Sequence, residues 1–204
     1  MTATAARVRM TGRERREQLI GVGRSVFAQR GYEASSIEEI AERAGVSKPI
    51  VYEHFGGKEG LYAVVVDREV HELFERITAA LDQAQHPRDA VERAADAFLI
   101  YIENEQDGFR ILVRDAPVGT ASGTLPSVIG DIAVKAQAIL AAEFRTRDYD
   151  VKLAPLYARA LVGMVAAVGE WWLEAGKPKR EVVRLHLVNL AWNGLRGLER
   201  APKR

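Results

Sequence analysis

Apolar positions along most of the chain recur every three to four residues, the spacing that places them on one side of an α-helix. Turn-forming residues divide this pattern into separate segments. The predicted helices span residues 13–30, 37–44, 48–54, 58–81, 88–104, 107–115, 125–145, 150–175 and 179–199. No run of alternating β-branched residues competes with helix, so the sequence predicts an all-α protein.

The segment GVSKPIVYEHFGGKEGLY, residues 45–62, predicts a helix of about two turns between glycine breaks. Gly45 can supply the left-handed residue that ends the preceding helix, and Ser47 can cap the new one. Pro49 is tolerated because the first N–H groups of a helix have no helical partner. Two short helices joined by a tight turn and packed on a third form a helix-turn-helix. Its predicted core consists of Ile37, Ile40, Ala41, Ala44, Val46, Val51 and Phe55.

The outward face of this short helix carries groups suited to reading DNA. Lys48 can donate to guanine acceptors in the major groove, and Pro49 and Ile50 can contact thymine methyl groups. Taken singly, Ser47 can be only a helix cap and Tyr52 only a half-buried aromatic. Their grouping on one face favours DNA contact. We predict base contacts from Lys48, Pro49 and Ile50, and DNA-backbone contacts from Arg13, Ser35, Ser36, Ser47 and Lys58. Tyr52 and His54 lie about one turn further on and can reach either a phosphate or a base edge.

Residues 27–62 read FAQRGYEASSIEEIAERAGVSKPIVYEHFGGKEGLY. They resemble the TetR family of bacterial transcriptional regulators, whose pattern includes GY, T/S-I-x-x-I-A, AGVS-K, L-Y-x-H/Y-F and K-x-x-L. The resemblance extends from about Arg13 to Tyr62. It departs from the family at Val51, where leucine is usual, and at Gly56-Gly57, where a more polar pair is frequent.

The resemblance implies roles for single residues and for the whole protein. Residues matching Lys48, Pro49 and Tyr52 contact bases in the family, and those matching Ser36, His54 and Lys58 contact the backbone. It further implies a dimeric repressor of a palindromic double-stranded DNA operator, released by a small-molecule effector, with the dimer built on the last two helices. An alternative from another class is a DNA-bound scaffold that recruits a protein partner without a small-molecule ligand.

Charge is concentrated near the start of the chain. Residues 1–30 contain seven arginines and two glutamates, which suits a polyanionic partner, although a solvated helix start has the same composition. We predict three regions: a basic flexible tail over residues 1–12, a helix-turn-helix DNA-binding domain over 13–60, and a helical ligand-binding and dimerisation domain over 61–204.

The long C-terminal region offers candidates for a ligand pocket and a dimer interface. Aromatic side chains with a few polar groups suit a small amphipathic ligand, although most aromatics at helical spacing are core residues. The pocket candidates are Phe98, Tyr101, Phe109, Arg110, Arg114, Tyr157, Met164, Trp171 and Trp172. A stripe of small residues and an apolar face suit close helix packing between subunits, or alternatively a monomer core. The dimer candidates are Ala160, Gly163, Ala167, Leu185, Val188, Trp192 and Leu195.

The composition excludes several classes of protein. The chain has 204 residues and no cysteine, so disulfides and thiolate metal sites are excluded and a reducing compartment is favoured. The N-terminal segment lacks the apolar stretch of a secretory signal. The most apolar segment, residues 160–169, is far shorter than the ~20 residues that span a bilayer. We therefore predict a cytoplasmic protein with no membrane association.

Enzymatic chemistry finds no support in the sequence. The four histidines are scattered, and neither a nucleophile-elbow pattern nor HExxH occurs. Asp67, His71 and Glu75 share one helix face at a spacing that can hold a metal ion, but a row of solvated ion pairs has the same spacing. We predict no enzymatic activity, no metal site and no cofactor.

Overall fold

The computed structural model describes residues 10–113 and 125–199, and it is all helical over these ranges, as predicted. Most helix ends lie within two residues of the predicted ones. The loop predicted around Pro117 and Gly119 lies outside the described residues. The helices are α1 (Gly12–Ala34), α2 (Ile37–Ala44), α3 (Lys48–Phe55), α4 (Lys58–Asp82), α5 (Pro87–Asn104), α6 (Gln106–Val113), α7 (Leu125–Thr146), α8 (Ala154–Ala175) and α9 (Arg180–Arg196), with a 3-10 turn at Val151–Leu153.

The first helix differs from its prediction at both ends. Thr11 caps α1 through a reciprocal pair of bonds: the Glu14 N–H donates to the Thr11 hydroxyl, and the Thr11 N–H donates to the Glu14 carboxylate. The ordered helix therefore begins inside the predicted tail, of which residues 1–9 lie outside the described residues. At the other end, the predicted stop at Gly31 is a kink, because this residue has φ 76° and ψ 171° while helical turns continue to Ala34.

The chain forms two compact units, Met1–Asp67 and Arg68–Arg204. In the first unit, α1, α2, α3 and the start of α4 bury one apolar core. An edge-to-face pair of Phe27 and Tyr62, with ring centres 5.0 Å apart, lies in this core. Five of the seven predicted core positions are buried, and Val46 and Phe55 are partly exposed. Fully buried side chains of the unit include Leu19, Val26, Phe27, Ile40, Val51 and Leu61.

In the second unit, α7 packs most extensively on α8, and α5 packs on α9. Gly169 of α8 permits a close helix approach, because a Cβ atom there would lie 2.4 Å from the Phe98 ring of α5. Arg180 of α9 forms ion pairs with Asp96 and Glu103 of α5. A buried hydrogen bond, donated by the Tyr101 hydroxyl to the Glu69 carboxylate at 2.8 Å, joins α5 to α4.

Two segments, Leu125–Thr146 and Val151–Ala175, are long and apolar enough to cross a membrane by length and composition alone. This is weak support for a membrane span, because core helices of water-soluble proteins meet the same criterion. Seven apolar positions of α7 line a partly open cavity, which accounts for much of the apolar character of that helix.

Candidate DNA-binding surface and internal cavity

The turns around α3 require glycine. Gly45, which ends α2, has φ 65°, and Gly56 and Gly57, which follow α3, have φ 74° and 139°. Residues that carry a side chain rarely adopt these backbone angles, so the glycines restrict α3 to two turns. Ser47 occupies the N-cap position as predicted, but its side chain makes no capping hydrogen bond.

The predicted base-contacting residues lie on the solvent side of α3. Lys48, Pro49 and Tyr52 are exposed, with 54% of Tyr52 accessible to solvent, and Ile50 is half-buried. Val51, between Ile50 and Tyr52, is fully buried and fixes the helix on the core. The short helix therefore presents a lysine donor, a proline and an aromatic hydroxyl on one open face.

Lys48 is held by a residue that the sequence analysis did not select. Its ammonium Nζ lies 2.5 Å from Oε1 of Glu38, in the first turn of α2. The hydrogen bond from Lys48 holds the pKa of the Glu38 carboxyl below its usual value.

The predicted backbone-contacting residues have different environments. Arg13 is exposed at the start of α1, and Ser36 caps α2 by accepting a hydrogen bond from the Glu39 N–H at 3.2 Å. The Ser35 hydroxyl, in contrast, is buried and donates to the Tyr32 carbonyl at 2.7 Å. A phosphate contact by this hydroxyl is disfavoured, because its proton is already engaged inside the fold.

Lys58 also has partners inside the first unit. Its Nζ donates to the carbonyls of Tyr32 and Ser35, at 2.9 and 3.1 Å, and lies 4.2 Å from the centre of the Tyr32 ring. Carbonyls at the end of a helix lack helical partners, so a lysine ammonium stabilises them well. The main role visible for Lys58 is to fix the turn between α1 and α2.

Two side chains of α1 hold the ends of the helix-turn-helix, and neither is among the predicted site residues. Arg16 donates to the His54 carbonyl at 2.7 Å and stacks over the Phe55 ring at 4.4 Å. Gln18 donates to the Ala44 carbonyl at 3.1 Å. Each bond satisfies a C-terminal carbonyl, of α3 and α2 respectively, and so fixes the orientation of the helix that carries the exposed face.

Replacing Arg16 by alanine should loosen α3 without touching its exposed face. We expect the free energy of unfolding of the first unit to fall by about 1.5–3 kcal/mol, the usual value for a hydrogen bond from a charged donor. Arg13→Ala is the matched control: it removes the same charge from an exposed position at the start of α1. Chemical denaturation measures both variants, and equal losses would contradict the role assigned to Arg16.

The second unit contains a partly open cavity of about 130 Å³. Its lining comes from α4, α5, α7, α8 and α9 and is apolar except for Glu143, whose carboxylate pairs with Arg147 at 2.5 Å. Within the described ranges, no group of three or more His, Asp or Glu side chains can hold a metal ion. The lining includes Leu73, Ile77, Ala90, Phe98, Leu125, Val128, Ile132, Ala136, Ile139, Leu140, Val162, Val165, Ala191 and Leu195.

Most of the predicted pocket residues lie elsewhere. Of the eight described ones, only Phe98 lines the cavity, and Arg114 lies outside the described residues. Aromatic residues suit ligands in general, but here Tyr101, Phe109 and Trp172 fill the core, and aliphatic side chains of α7 form part of the cavity wall. The remaining seven are buried in the core (Tyr101, Phe109, Trp172), half-buried (Arg110, Tyr157, Met164) or exposed (Trp171).

The predicted dimer residues include exposed, half-buried and buried positions. On α8, Ala160 and Ala167 are exposed and Gly163 is half-buried. On α9, Leu185 is exposed and Trp192 is half-buried, whereas Val188 is buried and Leu195 lines the cavity. Val188 is thus an interior residue of the second unit, whereas Leu195 is half-buried at the cavity wall. The exposed large apolar side chains of these helices are Leu156 and Trp171 on α8 and Val182, Leu185 and Leu190 on α9.

A helix-turn-helix with an exposed second helix, followed in the chain by a helical unit with an apolar cavity, defines the class of helix-turn-helix transcriptional regulators. Residues 19–65 match the family of bacterial regulatory proteins of the tetR family, and residues 87–194 match a tetracyclin repressor-like C-terminal domain. The chain therefore belongs to the TetR family.

Relatives cover much of the chain. The HTH-type transcriptional activator FasR of Mycolicibacterium smegmatis is 35% identical over 187 residues, which are 89% of this chain and 83% of that protein. The HTH-type transcriptional repressor Rv3405c of Mycobacterium tuberculosis is 33% identical over 62% of each chain. A TetR-like regulator from Rhodococcus sp. RHA1 superposes with a TM-score of 0.78 at 27% identity, covering 93% of this chain and all of that one.

Proposed function

We propose that the protein is a cytoplasmic, dimeric repressor that binds a two-fold symmetric DNA operator and releases it when a slender apolar molecule fills the cavity. The observation that carries the proposal is the exposed face of α3. A single helix fits the major groove, where Lys48 can donate to guanine and Pro49 and Tyr52 can contact neighbouring base edges. Regulators of the TetR family bind DNA operators, usually as dimers with small-molecule effectors, and are in general soluble cytoplasmic proteins.

The open apolar side chains of α8 and α9 support a dimer. Leu156 and Trp171 of α8 are 59% and 54% exposed, and burial of these large apolar surfaces against a second subunit would be favourable. Between them lie Ala160, Gly163 and Ala167, small residues that allow a partner helix to approach closely. Two recognition helices must enter grooves about 34 Å apart, and a two-fold dimer supplies that pairing.

The cavity supports an effector of defined chemistry. Its lining follows one side of α7 from Leu125 to Glu143, about 27 Å of helix at 1.5 Å per residue. Pockets for drug-sized ligands measure roughly 300–1,000 Å³, so a cavity of about 130 Å³ drawn out along this stripe suits one unbranched aliphatic chain better than fused rings. No cationic side chain is among the described lining residues, which favours a neutral ligand over an anionic one.

Repression is the direction of regulation that we propose, as is common in the family. The relatives named above include both a repressor and an activator. A reporter gene placed behind the operator distinguishes the two: deletion of a repressor raises expression, whereas deletion of an activator lowers it.

Selection of bound duplexes from a randomised pool, at moderate salt, tests DNA reading directly. We expect a two-fold symmetric site. Lys48→Ala and Tyr52→Ala should each reduce discrimination between this site and random duplex by about 1–3 kcal/mol, the usual contribution of a base contact. Lys177→Ala, which removes an exposed charge from the second unit, should leave discrimination unchanged. Binding that is indifferent to sequence would contradict the proposal.

A further inference from the structure

The ion pair between Glu38 and Lys48 lies on the surface that we propose reads DNA. Both side chains are accessible, at 59% and 54% of their surface, so duplex DNA can reach the pair without any rearrangement of the core. Lys48 is the first residue of α3, and Glu38 is the second residue of α2. The two helices of the motif thus each contribute one member of the pair.

A lysine without such a partner would favour phosphate over bases. Phosphate attraction is independent of sequence and accounts for nearly all non-specific DNA binding. An ammonium group is a compact point charge with three N–H donors. When Glu38 accepts one donor, its carboxylate offsets the charge of Lys48 while two donors stay free for guanine acceptors. The carboxylate also repels phosphates, so the pair is better tolerated over base edges than beside the backbone.

We propose that Glu38 is a positioning residue that sets sequence discrimination, by holding Lys48 as a directed donor and suppressing its attraction to phosphate. This inference rests on the DNA-reading role proposed above. The neighbouring Glu39 does not substitute for Glu38, because its carboxylate accepts from Arg30 at 2.9 Å and from Arg43 at 2.7 Å. Glu38 thus acts on DNA through Lys48 and is not itself a base-contacting residue.

Glu38→Gln is the test, made in the full-length protein and measured on the selected operator and on a scrambled duplex across a range of salt concentrations. We expect non-specific binding to tighten and its salt dependence to steepen by about one phosphate contact, because the freed lysine moves to the backbone. Discrimination between operator and scrambled duplex should fall by about three- to tenfold. Glu42→Gln is the matched control, since it removes the same charge from the exposed last turn of α2.

A double-mutant cycle with Lys48→Ala tests whether Glu38 affects DNA binding through Lys48 or by acting on the DNA itself. If Glu38 acts through Lys48, Glu38→Gln has no effect on discrimination or salt dependence once Lys48 is alanine. An equal effect in both backgrounds would mean that Glu38 repels DNA directly, and would overturn the inference. The inference would also be overturned if Glu38→Gln left the ratio of operator binding to scrambled-duplex binding unchanged while the wild type still selected an operator. Failure of the wild type to select any operator would instead remove the proposed function, and the inference with it.

Discussion

Gly60→Ala should destabilise the DNA-binding unit severely, lowering its free energy of unfolding by about 3–5 kcal/mol, at the upper end of single-substitution effects. A Cβ atom at residue 60 would lie 1.9 Å from the carbonyl oxygen of Phe55. The clashing atom belongs to the backbone at the end of α3, so no side chain can rotate to relieve it. Relief requires α3 or the start of α4 to move, and that movement would disturb the core beneath both.

Gly21→Ala is the matched control for this substitution. Gly21 lies in the middle of α1, is exposed, and has nothing within 4 Å of a built Cβ atom. The same change there should raise stability by about 0.5–1 kcal/mol, since alanine favours helix over glycine. Denaturation followed by far-ultraviolet circular dichroism measures both variants. Equal stability of Gly60→Ala and wild type would show that the turn before α4 adapts freely.

Ala136→Phe should abolish the proposed response to an apolar effector, because Ala136 lies midway along the part of α7 that lines the cavity and a phenyl ring there fills the cavity. We expect apolar ligands to lose at least about tenfold in affinity, or 1.4 kcal/mol, with a cost in stability of about 1–3 kcal/mol from overpacking. Ala138→Phe is the matched control, since Ala138 is exposed on the same helix and does not line the cavity.

Straight-chain alcohols of increasing length serve as probes, with a sterol as the fused-ring comparison. Thermal stabilisation and operator release should grow with chain length in the wild type and in Ala138→Phe, and should vanish in Ala136→Phe. Preference for the sterol would contradict the slender shape inferred for the ligand. Absence of any response, with operator binding intact, would favour a DNA-bound scaffold that recruits a protein partner.

The sequence was sufficient to predict the helices and the exposed face of α3, because both depend on local rules. Glycines at positive φ, a proline in a first turn and apolar spacing are properties of neighbouring residues. Gly45 and Gly56, for example, mark the turns through their own backbone conformations. The outward position of Lys48 and Tyr52 follows once Val51 is assigned to the core.

Long-range contacts could not be predicted in the same way. Arg16 contacts the His54 carbonyl across 38 residues of sequence, and no local pattern around Arg16 indicates that partner. The cavity wall posed a different problem. Ile132 and Ala136 follow the same spacing as core residues, and only the packing of α7 against its neighbours determines whether such a stripe meets another side chain or leaves a space.

The three tryptophans of the chain, at 171, 172 and 192, all lie in the second unit. Trp172 is buried and donates its indole N–H to the Pro178 carbonyl at 2.7 Å, whereas Trp171 is open to solvent. Intrinsic emission excited at the red edge of indole absorption therefore reports the second unit alone, while the tyrosines of the first unit stay silent. The wild-type protein thus contains its own fluorescent probe, which separates unfolding of the second unit from unfolding of the first. A blue shift of Trp171 emission would indicate that this side chain is buried against a second subunit.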